Sequence, residues 1–115
     1  MIVAGLLALS AGAFSPGAPP IVAEVRNASG RPGLARQVTR LLRERGVDVV
    51  FFGNAVQVVD STTVLVRRGP TDAGASVGTI LGVRRVTSAA DPKPRVDVTV
   101  LIGKDYRLPK DRLPL

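Results

Sequence analysis

The stretch from Ile21 to Gly46 constrains the fold more than any other part of the sequence. It reads IVAEVRNASGRPGLARQVTRLLRERG. An apolar run of high β-propensity is followed by a turn rich in glycine, proline and asparagine. After the turn, apolar residues recur at i, i+4, i+7 and i+8: Leu34, Val38, Leu41 and Leu42. This period is typical of one buried face of a helix, and Gly46 after two arginines is typical of a helix end. The pattern predicts a strand, a turn and a helix, in that order.

The turn at residues 27–33 invites comparison with phosphate-binding loops, which also join a strand to a helix. Its sequence, NASGRPG, contains Gly30 and Gly33 but neither a GxGxxG pattern nor a Lys-Ser/Thr pair. Pro32 also lacks one backbone N–H that an anion site would use. The turn is therefore interpreted as a helix start with proline near the first turn, and no nucleotide site is predicted there.

Residues 1–14, MIVAGLLALSAGAF, contain no charged side chain. Their apolar part is shorter than the roughly 20 residues that span a bilayer. It resembles a signal-peptide core followed by an A-x-A cleavage site, although the positive amino-terminal region is missing. Residues 1–14 are predicted to be a signal peptide or a truncated membrane anchor whose start lies upstream; a buried helix of the domain is the alternative. Both a signal peptide and a membrane anchor predict that the domain lies outside the cytoplasmic membrane, either secreted or anchored.

The predicted domain organisation follows from composition. Residues 15–20, SPGAPP, are a Pro/Gly linker, residues 21–106 form the domain, and residues 107–115 form a flexible, proline-broken tail. After the first helix, strands are predicted at 47–52, 62–67, 83–87 and 96–102, with a second helix between residues 71 and 82. The 115 residues suit one small domain with a core.

This element order predicts an α+β fold, a two-layer sandwich of βαββαββ order. Two helices do not cover both faces of a five-stranded sheet, so both are expected on one face of a mixed sheet. A ferredoxin-like split βαβ topology is the predicted strand arrangement. Gly74, Gly78 and Gly82 recur every four residues in the second helix. They indicate either close packing against a neighbour or a compositional bias toward small residues.

The composition argues against catalysis, since the chain has no histidine and no cysteine. Acid–base chemistry near neutral pH usually recruits histidine or a carboxylate with a shifted pKa. Asp97 and Asp105 bracket the last strand and are expected more than about 20 Å apart, too far for a carboxylate pair. Without histidine, cysteine or an EF-hand loop, no metal and no cofactor are predicted.

The basic residues are the main functional clue, because the net charge is +7 and favours polyanions. A helical stripe and two basic pairs are the candidate anion-binding residues: Arg36, Arg40, Arg43, Arg67, Arg68, Arg84 and Arg85. A solvated face is the simplest interpretation. The alternative is a docking surface for phosphate-rich wall polymer or anionic lipid. Nucleic acid is less favoured, because no aromatic residue is interleaved with the stripe as a stacking surface needs.

Residues 21–106 resemble the LytR C-terminal domain family of bacterial cell-envelope proteins. The resemblance rests on short motifs in a fixed order. The first strand ends in VRNASG (25–30), and GLA (33–35) begins a helix that ends at RG (45–46). These are followed by NA (54–55), TTV (62–64), LG (81–82), DVTV (97–100) and GKDY (103–106). It implies a non-catalytic accessory domain whose partners are cell-wall polymer or LytR-CpsA-Psr-type envelope proteins. In the family such a domain often follows a catalytic domain that attaches anionic glycopolymers to peptidoglycan, and this chain is too short to include one. The alternative function is a basic nucleic-acid-binding regulator.

Overall fold

The structure is a computed structural model that describes residues 19–109. The predicted signal or anchor segment 1–14, most of the linker and the tail beyond residue 109 lie outside the described residues. The described chain folds as β1 (Val22–Asn27), α1 (Leu34–Glu44), β2 (Asp48–Asn54), β3 (Thr63–Val66), α2 (Asp72–Leu81), β4 (Val86–Ser88) and β5 (Val98–Ile102). The α+β class and the βαββαββ order are confirmed. Neither helix among residues 19–109 combines the length and apolarity that crossing a membrane requires.

The fourth strand begins at Val86, three residues later than predicted. The Val83 amide donates to the Gly78 carbonyl at 2.8 Å, so this residue completes the end of α2 instead of starting the strand. Gly82 before it has a φ of 74°, the left-handed conformation of a helix cap.

The five strands form one mixed sheet in the order β2-β1-β5-β3-β4. Strand β1 is parallel to both β2 and β5, whereas β3 is parallel to β4 and antiparallel to β5. The predicted ferredoxin-like topology is wrong, because β1 and β2 are direct neighbours rather than separated by another strand. Strand β5 is at the centre of the sheet, between β1 and β3. Its residues, Val98–Ile102, are almost entirely buried.

Both helices pack on one face of the sheet, as predicted. The apolar face of α1 is buried as the periodicity indicated, and α2 adds Val77 and Leu81 to the same core. On the sheet side, alternate residues of β1 are buried, Ala23 and Val25 among them. Tyr106 closes one end of this core: it is buried, its hydroxyl donates to the Leu81 carbonyl at 3.4 Å, and burial raises its pKa to about 12.

The turn between β1 and α1 is closed by its own side chains. The Asn27 carboxamide oxygen accepts from the Ser29 amide at 3.0 Å and from the Ser29 hydroxyl at 2.6 Å. Its nitrogen donates to the Arg31 carbonyl at 2.8 Å. Helix α1 begins after Gly33, the N-cap, which has a φ of 88°, so Pro32 precedes the helix rather than occupying its first turn. These bonds hold the start of α1 against the end of β1.

The glycines of α2 allow the helix to pack closely on β3 and β4. A Cβ on Gly74 would lie 2.5 Å from a methyl group of Val66 and 2.8 Å from one of Val86. A Cβ on Gly78 would lie 2.6 Å from the carbonyl oxygen of Val83. Of the two interpretations of the Gly74–Gly78 spacing, close packing is therefore the one that the structure supports.

We expect Gly78→Ala to lower the free energy of unfolding by about 1–3 kcal/mol, the usual cost of overpacking. The new methyl group meets a backbone carbonyl, which has no rotamer to move to, and this outweighs the better helix propensity of alanine. Urea denaturation measures the change. Ser76→Ala in the same helix is the control and is expected to stay within about 0.5 kcal/mol of the native chain. Unchanged stability of Gly78→Ala would show that Gly78 does not approach the Val83 carbonyl this closely.

Candidate functional site

The arginine stripe of α1 meets an aromatic ring from the neighbouring strand. Phe52 of β2 pairs with Val25 of β1, so its side chain is on the helix-covered face of the sheet. The guanidinium carbons of Arg36 and Arg43 each lie 6.0 Å from the centre of the Phe52 ring. Both distances are at the limit of cation–π contact. The stripe is therefore one wall of a groove between α1 and the edge of the sheet.

This groove is a cleft of about 420 Å³, which we call the α1–β2 cleft. Its lining residues are Arg36, Thr39, Arg40, Arg43, Glu44 and Phe52. Three guanidinium groups face one carboxylate, so the cleft attracts anions. Its wall is a mixture of positive charge and an aromatic face.

The three arginines of the cleft differ in how they are held. Arg43 donates to the Val49 carbonyl at 2.8 Å, which ties the end of α1 to β2. Arg36 and Arg40 form no ion pair with any residue in 19–109. Between them, the Thr39 hydroxyl is buried with the side chain only 3% exposed, and it has no hydrogen-bond partner in this part of the chain. Two cations thus remain available at this cleft, whereas the Thr39 hydroxyl is buried beneath it.

No aromatic residue is interleaved with the stripe along the sequence, but the fold brings Phe52 beside it. Phe52 is 9 or more positions from each arginine along the chain, and only strand pairing brings it beside α1. A signal was present in the adjacent residues Phe51 and Phe52, because neighbours in a strand point to opposite faces. One of the two had to face the helices.

Arg67 and Arg68 are not part of this cleft. Arg67 donates to the Thr99 hydroxyl at 3.0 Å and to the Ala89 carbonyl at 3.1 Å. Arg68 forms an ion pair of 2.7 Å with Asp97. Both side chains hold the loop that precedes β5, so their positions have a structural explanation.

Arg84 and Arg85 line a second cleft, of about 470 Å³. It also contains Arg107, which the sequence analysis did not select, and the carboxylate of Asp105. The electrostatic interaction with Arg85 helps to keep Asp105 ionised. The seven candidate arginines thus divide among two clefts and one structural cluster.

Asp105 is held by two donors from one residue. The Thr62 hydroxyl donates to Asp105 Oδ1 at 2.6 Å and the Thr62 amide at 2.9 Å. These bonds stabilise the carboxylate, and together with Arg85 they lower the pKa of Asp105 below its usual 3.8. The contact fixes the loop before β3 to the segment after β5.

We expect this contact to make stability pH-dependent in the acid range. Because the folded-state pKa is lowered, the contribution is complete above pH 3.8 and is lost as the pH falls through the lower folded value. The difference in free energy of unfolding between the native chain and Asp105→Ala, measured by urea denaturation, should be smaller at pH 2 than at pH 6. A constant difference between the two chains at both pH values would contradict this origin.

Asp97 and Asp105 are held at opposite ends of β5 by different donors. Asp97 accepts from the Val22 amide at 2.8 Å and from Arg68, whereas Asp105 accepts from Thr62 beyond the other end of β5. Among residues 19–109, no three histidine, cysteine, aspartate or glutamate side chains cluster closely enough to hold a metal ion.

Comparison with known proteins places these features in context. The model of a family described as "LytR cell envelope-related transcriptional attenuator" matches residues 21–106. The solution structure of the C-terminal domain of RV0431 is similar at 28% sequence identity and a TM-score of 0.48, over 90% of this chain and 88% of that one. No curated protein sequence matches the chain significantly.

Proposed function

The chain belongs to the LytR cell envelope-related transcriptional attenuator family, and we propose that it is an exported or membrane-anchored accessory domain that binds anionic wall glycopolymer without catalysis. Membership establishes a cell-envelope-related domain. The binding role, the ligand and the location are the proposal. The single observation that supports the role is the α1–β2 cleft, which three arginines and an aromatic ring line together.

The cleft offers two kinds of contact that a sugar–phosphate polymer needs. Arginine binds phosphate through a planar fork of N–H donors, and charge-assisted hydrogen bonds of this kind contribute about 1.5–3 kcal/mol each. The apolar face of a sugar packs against an aromatic ring such as Phe52. Arg36 and Arg40 are without ion-pair partners among residues 19–109, so no ion pair has to break first.

A polymer also suits the strength of such a site. One open cleft with two or three charge-assisted contacts binds a single repeat weakly. A polymer has many identical repeats, so a repeat that dissociates is replaced by a neighbouring one at high local concentration. The second arginine cleft has the same charge balance, with Arg84, Arg85 and Arg107 against Asp105. Its aromatic residue, Tyr106, is buried in the core, whereas the Phe52 ring of the α1–β2 cleft is 36% exposed. We therefore assign the polymer to the α1–β2 cleft. No specific observation favours the nucleic-acid alternative.

The binding role is tested by titrating the full chain with a phosphate-rich wall glycopolymer and with a phosphate-free polysaccharide of similar length. We expect binding to the first polymer only, weakening as salt rises because exposed charges are screened. Equal binding of both polymers, or of neither, would refute the anionic cleft as the binding site.

The location is tested separately with a carboxyl-terminal tag and protease added to intact cells. We expect the tag to be membrane-bound or secreted and accessible to the protease. A cytosolic, protected tag would refute the export interpretation of residues 1–14.

A further inference from the structure

Strand β2 is an edge strand with an unusual length for its position. It has seven residues and one neighbour, β1, among residues 19–109, whereas the opposite edge strand, β4, has three. The Ala55 amide donates to the Asn27 carbonyl of β1 at 2.9 Å. Because successive residues of a strand direct their amides to opposite edges, the amides of Asn54 and Phe52 point away from β1. Two backbone donors are therefore directed at the outer edge.

From Phe51 onward this edge lacks the usual protection against pairing, because the bulge at Val50 and the Arg43 bond to the Val49 carbonyl both lie before that residue. Native edge strands are commonly blunted by lysine, proline or an inward charge, and long flat apolar edges attract further strands. Asp48 is the only charged residue of β2, and the strand contains no proline. Val50 is 55% exposed and Phe51 is 45% exposed. Further along, Val56 and Val58 extend the exposed apolar surface.

The two faces of the edge differ in chemistry. On the helix face, Phe52 lies beside Arg36 and Arg43 of the α1–β2 cleft. On the open face, Phe51 lies under Arg26, whose guanidinium carbon is 4.6 Å from the ring centre and which already pairs with Glu24 at 3.1 Å. A strand added here therefore meets uncompensated positive charge on the helix face and a neutralised, largely apolar surface on the open face.

Charge disfavours a second copy of this chain as the occupant. Pairing two β2 edges would bring two α1 arginine stripes together, in a chain whose net charge is already +7. Like charges opposed at an interface oppose association. An acidic partner has the opposite effect.

From the edge and its two faces, we propose that β2 binds an extended segment of a partner protein in which acidic and apolar residues alternate. The segment adds a sixth strand beside β2, with backbone hydrogen bonds at Phe52 and Asn54. Its acidic side chains lie against Arg36 and Arg40, and its apolar side chains lie over Phe51 and Val50. This binding mode does not depend on glycopolymer binding.

The experiment uses the full chain and a capped octapeptide of alternating valine and glutamate. Two controls are the alternating valine–lysine octapeptide and a block peptide of four valines followed by four glutamates. We expect the alternating acidic peptide to bind at least tenfold more tightly than either control. Amide hydrogen exchange should slow at least tenfold at Phe52 and Asn54 and stay unchanged at Gly53, whose amide points toward β1.

Phe51→Ser separates this proposal from the glycopolymer site. We expect it to weaken peptide binding at least fivefold and to leave glycopolymer binding unchanged, since Phe51 is on the opposite face from the cleft. If this variant does not fold, the exchange measurement on the native chain decides. Absence of peptide binding, binding without protection at Phe52 and Asn54, or dimerisation of the chain through β2 would each overturn the proposal.

Discussion

We expect the reversal of Arg36, Arg40 and Arg43 to glutamate to abolish binding of phosphate-rich wall glycopolymer. The substitution replaces the three cations of the α1–β2 cleft by three anions, so the cleft repels phosphate and loses its fork-like donors. Each lost charge-assisted bond weakens binding by about 1.5–3 kcal/mol, which is more than tenfold per arginine. Titration of the folded variant with the polymer measures this loss.

The fold is expected to survive this reversal. All three side chains are on the exposed face of α1, away from the core. The loss of the Arg43 bond to the Val49 carbonyl and of a cation in the last helical turn should cost about 1–2 kcal/mol together. A circular dichroism spectrum like that of the native chain checks this point.

The matched control reverses Arg84, Arg85 and Arg107, which line the second cleft and change the net charge by the same amount. We expect this variant to bind the polymer within a few-fold of the native chain. An equal loss in both variants would mean that the overall positive charge attracts the polymer and that the α1–β2 cleft is not a site.

We expect Gly103→Ala to destabilise the domain more than Gly78→Ala does. A Cβ at this position would lie 2.5 Å from the Ser61 carbonyl carbon and 2.8 Å from its nitrogen and oxygen, all backbone atoms. The Gly103 amide also donates to the Thr62 hydroxyl at 2.9 Å, so the two segments cannot separate without losing a buried bond. We expect a loss of about 3 kcal/mol, the upper part of the usual range for overpacking.

The corresponding control is Gly69→Ala. Gly69 has a φ of 75° but open space around its Cβ position, so alanine there meets only the strain of the left-handed conformation, about 1–2 kcal/mol. Urea denaturation of both variants separates the two effects. A Gly103 variant that is no less stable than the Gly69 variant would contradict the close contact at Ser61.

The elements and most of the core could be predicted from the sequence because they depend on local patterns. The period of Leu34, Val38, Leu41 and Leu42 identifies the buried face of α1 whatever packs against it. Gly46 likewise identifies the helix end, and its φ of 88° is the left-handed conformation that favours glycine. Such signals need no knowledge of the rest of the chain.

The strand order and the aromatic part of the cleft could not be predicted, because both depend on non-local pairing. The β1–β2 register shifts between Ala23 and Glu24, which leaves Val50 as the extra residue of a bulge. Strict alternation from the buried Val49 would place Phe51 on the helix face; the bulge places Phe52 there instead. One inserted residue therefore decides which ring lies beside the arginines.

For the arginines too, the local pattern could be predicted from the sequence, whereas the tertiary contacts could not. The i, i+4, i+7 spacing correctly placed Arg36, Arg40 and Arg43 on one side of α1. The partners of Arg67 and Arg68, which are Thr99 and Asp97, come from a strand and a loop about 30 residues away. The positions of charged residues in a sequence do not show that Arg67 and Arg68 are held by partners within the fold.

The most direct test of the account is amide chemical-shift mapping of the full chain during titration with phosphate-rich wall glycopolymer. We expect the shifts to concentrate in α1 between Arg36 and Arg43 and at Phe52 of β2, the residues that line the α1–β2 cleft. Shifts centred on Arg84, Arg85 and Arg107, or the absence of any localised change, would contradict it.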